Sequence, residues 1–232
     1  MDRTGAIICA LASSLALAAG CVPPTDEVSE LTLSIADQLE PVTTLPANLD
    51  PTCEGGFARI YDECSDQREI LREGIATANA EGKIPLVSFG AEFCTWCHVF
   101  DKFINGEVGA FQYNNGMFPR TYEETPYQSM IEEAIQLNRF AAANFVVIHI
   151  ESDYAPYSFE VLEATDAVDH YEYELPFIYS LDANGDFAAM FDHYRAEVTE
   201  GENPGQYSGY DRTNLFRELE RMADAARPSK YR

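Results

Sequence analysis

The sequence predicts an α/β domain built on a mixed central sheet with helices on both faces. Three observations predict it. Residues 84–89 (Ile-Pro-Leu-Val-Ser-Phe) and 145–150 (Phe-Val-Val-Ile-His-Ile) are continuous apolar runs, the pattern of strands buried on both faces. Helical segments alternate with them, which implies parallel strands joined by right-handed crossovers. Residues 175–191 then carry two short strands about the turn Asp182-Ala183-Asn184-Gly185-Asp186, a hairpin signal that supplies an antiparallel edge.

The chain begins with an export signal. Arg3 gives a thin positive start, and residues 6–19 form an apolar run too short to span a bilayer, where about 20 residues are needed. The run ends Leu17-Ala18-Ala19-Gly20-Cys21, which resembles the lipoprotein signal in which the cysteine is lipidated and becomes the mature N-terminus. Ala18 stands where that signal has Leu, and cleavage after Ala16-Leu17-Ala18 is the alternative. Residues 1–21 are therefore expected to be a signal peptide of lipoprotein type, with Cys21 the lipidation site. Residues 22–52, rich in Pro, Thr, Glu and Asp, read as a flexible tether, with a short helix around residues 31–39. The domain proper is expected over residues 53–232, outside the cytoplasm and membrane-anchored through lipid.

Within the domain, residues 65–80 read as a helix, with Ser65 as N-cap and Ile70, Leu71, Ile75 and Ala78 on one face. The strand at 84–89 follows, then a helix over 98–112 interrupted near Gly106 and Gly109. Residues 114–126, polar and aromatic with Gly and Pro, read as an inserted loop, where a substrate-docking role is one option. Helices are expected over 127–144, 159–170 and 212–226, the last with Leu215, Phe216, Leu219 and Met222 on one face. Residues 192–211 read as irregular.

The formal net charge is −24 over 232 residues. Such a surface is repelled by phosphate, which argues against nucleic acid or an anionic membrane as partner. Of six cysteines, Cys9 falls in the signal and Cys21 at its end, leaving Cys53, Cys64, Cys94 and Cys97. Four cysteines allow three pairings. Proximity favours 53–64 with 94–97. The first closes a short loop and reads as a structural disulfide, worth about 3 kcal/mol in the chain-entropy model. A second redox pair relaying electrons to Cys94 and Cys97 is the alternative.

Phe93-Cys94-Thr95-Trp96-Cys97-His98 carries the chemistry. The Cys-x-x-Cys pair sits where a strand hands over to a helix. The unpaired N–H groups and positive dipole end of a helix's first turn favour thiolate over thiol. A cysteine there can have its pKa lowered from about 8.5 to roughly 3.5–7.5. Cys94 is expected to be the exposed attacking thiolate and Cys97 the resolving thiol.

Three features together resemble the thioredoxin superfamily: the strand–Cys94-x-x-Cys97–helix unit, the Leu175-Pro176 pair before a strand, and the hairpin and closing helix. The resemblance covers roughly residues 65–226. It lies closest to the branch whose active site reads Cys-x-Trp-Cys-His. It implies a thioredoxin-like fold and thiol–disulfide oxidoreductase activity on protein disulfides, with no dissociable cofactor, no metal, and an unidentified electron donor or acceptor. It also implies a cis Leu175–Pro176 bond whose backbone, with Trp96, flanks the substrate. The family's buried acid, six residues before the first cysteine, is Ser88 here, and its tryptophan before that cysteine is Phe93. Glu92 or His149 is the candidate to take over proton relay; otherwise Glu92 is an exposed connector residue and His149 a packed one. Three other functions remain open: a non-catalytic thioredoxin-like interaction module, a c-type haem protein using Cys94, Cys97 and His98, and a metal site on the same residues. In the redox case His98 either supports the Cys94 thiolate or is simply exposed.

Overall fold

The computed structural model describes residues 35–50, 52–53, 59–109, 111–114, 119–122, 128–198 and 209–227. The expected signal peptide, the expected lipidation site Cys21 and the first part of the expected tether lie outside the described residues.

A five-stranded mixed sheet forms the centre. Its strands are β1 (Thr43–Leu45), β2 (Ile84–Gly90), β5 (Phe145–Glu151), β6 (Phe177–Leu181) and β7 (Phe187–Met190), in the spatial order β1-β5-β2-β6-β7. β5 runs parallel to both β1 and β2, while β6 is antiparallel to β2 and to β7. The predicted α/β class is therefore what the chain builds. β2 and β5 are buried at every position, as their unbroken apolar runs require. The hairpin turn is held by Asp182, whose Oδ1 accepts the N–H groups of Asn184 at 2.8 Å and Asp186 at 3.1 Å. Gly185 supplies the positive φ of 93°.

The helices are α1 (Gln67–Glu81), α2 (Thr95–Ile104), α3 (Gln128–Asn144), α4 (Ser158–Ala164), α5 (His193–Ala196) and α6 (Arg212–Ala226). One face of the sheet, with Leu86, Val147 and Ile178, packs against Phe100 and Phe103 of α2, Leu137 of α3, and Leu215 and Leu219 of α6. The other, with Val87, Ile148 and Ile150, packs against Ile70 and Leu71 of α1 and Val161 and Leu162 of α4. Each such fully buried side chain contributes about 1.5–3 kcal/mol.

Several expectations are corrected. The tether does not run to residue 52: Thr43–Leu45 is an edge strand of the sheet, pairing with Val146, Val147 and Ile148. Asn138 on α3 fastens the chain just before it, exchanging hydrogen bonds with the backbone N–H and C=O of Glu40 at 2.8 and 3.0 Å. Asp66, not Ser65, caps α1, accepting the N–H of Arg68. The helix after the dithiol starts at Thr95 and stops at Ile104, where Gly106 turns the chain with φ 76°. The end of the helix expected to 112 and part of the loop expected over 114–126 instead form a two-stranded antiparallel ribbon, β3 (Phe111–Asn114) with β4 (Pro119–Tyr122). The single helix expected over 159–170 is α4 followed by a 3₁₀ turn, Val168–His170. Residues 192–211 hold α5 and a bridge between Glu197 and Tyr210.

Candidate functional site

The dithiol lies at the carboxyl end of β2, the central strand. The backbone leaves the sheet at Gly90, and Ala91 accepts the Cys94 N–H at 3.0 Å in a tight turn. Cys94 is then the N-cap of α2, its sulfur accepting the Cys97 N–H at 3.1 Å. The strand-to-helix position read from the sequence is thus realised, and the first helical turn is aimed at the Cys94 sulfur. Cys94 and Cys97 are joined as a disulfide with Cα atoms 5.3 Å apart. Cys94 is the more accessible of the two, but at 7% against 0% it is nearly covered, not openly exposed as expected. Trp96 and Leu175 pack against the pair, and the Leu175–Pro176 bond is cis. Trp96 is half-buried, with its ring 5.2 Å from that of Tyr210. A second cis bond, Leu45–Pro46, had no counterpart in the sequence reading.

Glu92 is not an exposed connector residue. It is buried, and its Oε2 accepts the N–H groups of Tyr61 at 3.1 Å and Ile60 at 3.3 Å. Its backbone oxygen accepts from Nε2 of His98 at 2.7 Å. His98 is buried too, with Nε2 3.6 Å from the Glu92 carboxylate. A haem reading needs this ring nitrogen and both sulfurs; here the nitrogen is engaged by Glu92 and the sulfurs by each other.

The segment that Glu92 holds is the part of the site that sequence reasoning missed. It places Tyr61, fully buried, between the dithiol and the sheet. Tyr61 Oη lies 3.0 Å from Ser88 Oγ. Both Tyr61 Oη and Cys97 Sγ lie 2.5 Å from where a Cβ on Gly90 would sit, so the phenol oxygen and the sulfur flank the same space over that glycine. Burial pushes the Tyr61 phenol well above its usual range, and the Asp101, Glu92 and Glu151 carboxylates push the same way. Further along, Gln67 ties the segment to the sheet: its Nε2 donates to the backbone oxygens of Asp62 and Ser65, and its Oε1 accepts the N–H of Glu151. Asp62 closes the turn before α1 by accepting from Cys64 N–H and from both the N–H and the hydroxyl of Ser65. Nothing in the sequence marks Tyr61. Ser65 was read only as an N-cap, which did not point at the dithiol.

Cys53 and Cys64 form the second disulfide, Cα atoms 5.8 Å apart. With Asp62 they make, among the described residues, the one tight group of metal-ligand types. The two sulfurs are joined to each other, and the carboxylate is engaged by Cys64 and Ser65.

His149, at the centre of β5, pairs in register with Ser88. It is buried, its ring edge-on to Tyr61 at 5.3 Å, and neither ring nitrogen has a hydrogen-bond partner. Its Nε2 lies 3.5 Å from Asp101 on α2. It faces a cavity of about 450 Å³ whose lining includes Thr44, Pro46, Arg59, Asp101 and Asn105. His149 is thus packed, as one alternative held, yet stands beside a carboxylate and an opening in the fold. Among the described residues no helix is long and apolar enough to cross a membrane. No family model, curated protein or solved structure matches the chain.

Proposed function

We propose that this protein is an exported thiol–disulfide oxidoreductase of thioredoxin-like fold, working through Cys94 and Cys97. The observation that carries the proposal is the Cys94–Cys97 disulfide at the first turn of α2, packed against the cis Leu175–Pro176 segment. The strand order supports it: with the β3–β4 ribbon set aside as an insertion, two parallel crossovers and an antiparallel hairpin surround the strand that delivers the cysteines. Export is supported by the two disulfides, which persist in oxidising compartments, and by the signal and Cys21 at the start of the chain.

In the mechanism, the Cys94 thiolate attacks a substrate disulfide. It is stabilised by the Cys97 N–H and the helix end. A mixed disulfide forms and Cys97 resolves it. The substrate chain lies against Trp96 and the backbone of Leu175, whose neighbour Pro176 has no N–H. Protein thiols and disulfides are the partners, with an external donor or acceptor restoring the pair.

A non-catalytic interaction module is the second reading, and the near-complete cover over Cys94 favours it. One experiment separates the two. The purified domain is titrated across a glutathione redox series after its absorption spectrum is recorded. Reversible exchange is expected, with a midpoint near about −270 mV for a reductase or about −120 mV for an oxidant. A pair that never exchanges supports the module, and a Soret band supports haem.

A further inference from the structure

The redox mechanism leaves one demand unmet by the groups named for it. Cys97 must become a thiolate to resolve the mixed disulfide, and it is fully buried. Its surroundings oppose an anion. Glu92 in the connector, Asp101 on α2 and Glu151 at the end of β5 all act on Tyr61, the sulfur's neighbour. His98 on α2 is turned to Glu92, and His149 on β5 to Asp101. Burial and nearby carboxylates both raise a thiol's pKa. The Tyr61 hydroxyl, packed in one cluster with Cys97, borders the same space over Gly90 as the Cys97 sulfur.

We propose that the Tyr61–Ser88 hydroxyl pair holds the Cys97 sulfur as a thiolate during resolution. Tyr61 O–H donates to the sulfur and Ser88 O–H donates to the phenol oxygen, a directional chain that their 3.0 Å separation allows. The proposal rests on the redox function of the Cys94–Cys97 pair. The step balances as follows. In the mixed disulfide the Cys94 sulfur is bonded to a substrate sulfur and Cys97 is a thiol. Cys97 loses its proton and its sulfur attacks that of Cys94. The Cys94–Cys97 bond forms, the bond to substrate breaks, and the departing substrate thiolate takes up the proton. Two electrons pass from the protein dithiol to the substrate disulfide. Tyr61 keeps its own proton throughout, because burial makes the phenolate harder to form than in water. It acts as a donor, not as a base. Gly90 leaves room for the approach, since a side chain there would fill the space that the phenol and the sulfur both border.

The test isolates Cys97 in a Cys94→Ser background and titrates its thiolate by ultraviolet absorbance. Hydrogen bonds to a charged group are among the stronger kinds, so Tyr61→Phe is expected to reduce the thiolate fraction at neutral pH at least about ten-fold. Ser88→Ala is expected to shift the titration the same way by less, and it carries the test if Tyr61→Phe does not fold. In the otherwise native protein both substitutions should slow resolution of a trapped mixed disulfide and move its pH profile upward. A change confined to packing would lower stability without moving either titration. Wild-type exchange with glutathione is measured alongside. A wild-type pair that never exchanges overturns the redox function and any role in resolution with it. An exchanging wild type whose Cys97 titration ignores both variants overturns the Tyr61 role alone.

Discussion

Glu92 and Tyr61 are joined side chain to backbone: the Glu92 carboxylate accepts the Tyr61 N–H at 3.1 Å and the adjacent Ile60 N–H at 3.3 Å. A connector residue two places before Cys94 thereby fixes the segment that lays Tyr61 behind the Cys94–Cys97 pair. Glu92→Ala leaves buried N–H groups without an acceptor, which costs about 1–3 kcal/mol. Glu92→Gln keeps an acceptor oxygen and should lose less. Denaturant midpoints of the two variants check this; equal losses would mean that the negative charge, not the acceptor, matters.

Gly90→Ala is the most damaging small substitution expected in the site. The added Cβ would stand 2.5 Å from both Cys97 Sγ and Tyr61 Oη, inside any allowed contact. Neither group can swing away, since Cys97 is on the first turn of a packed helix and Tyr61 is fully buried. Overpacking of this kind costs about 1–3 kcal/mol and shifts backbone. A thermal melt should show a lowered midpoint, and thiol counting should show a Cys94–Cys97 bond that closes less completely under the same glutathione ratio.

The Cys53–Cys64 bond has a separate role. Its loop spans 11 positions and is closed from within by Asp62. Replacing both cysteines with Ala is expected to lower stability by about 3 kcal/mol while leaving the Cys94–Cys97 midpoint unchanged. Redox titration of the double variant checks it. A shifted midpoint or lost exchange would instead make Cys53 and Cys64 an electron relay.

How far the fold could be read in advance depended on where each residue finds its partners. β2 and β5 were legible because long apolar runs state their own burial, and the Asp182–Gly185 turn because its chemistry is local. β1 was not: it is three residues, Thr-Thr-Leu, and its place is fixed by β5 and by Asn138, about a hundred positions away. The cysteine pair and Leu175-Pro176 were legible by their types and order. Tyr61 was not, because a lone aromatic residue in a polar segment carries no periodicity, and only the fold brings it to Ser88 and Gly90. The exposed alternative held open for His98 and for Glu92 fails for a related reason. Their polarity suggested solvent, whereas each satisfies the other's neighbourhood inside the fold.

Glu151 sets the expected pH dependence of stability. It ends β5, fully buried, with Oε2 accepting the N–H groups of Asp153, Tyr154 and Ala155 at 2.9, 2.6 and 2.8 Å. Burial pushes its pKa up; the three N–H groups pull it down without fully offsetting that. The folded protein therefore binds this proton more tightly than the unfolded chain, where the value is about 4.3. Its stabilising contribution is fully present below that pH and is lost as pH rises through the elevated folded value. Glu151→Gln retains an oxygen for the three N–H groups and removes the charge. Thermal midpoints measured from pH 4 to about pH 7 should fall less steeply, or rise more steeply, in the Gln variant than in the wild type. The gap should open on the neutral side, with the Gln variant gaining there. Parallel curves would mean that the carboxylate carries no charge penalty in the fold.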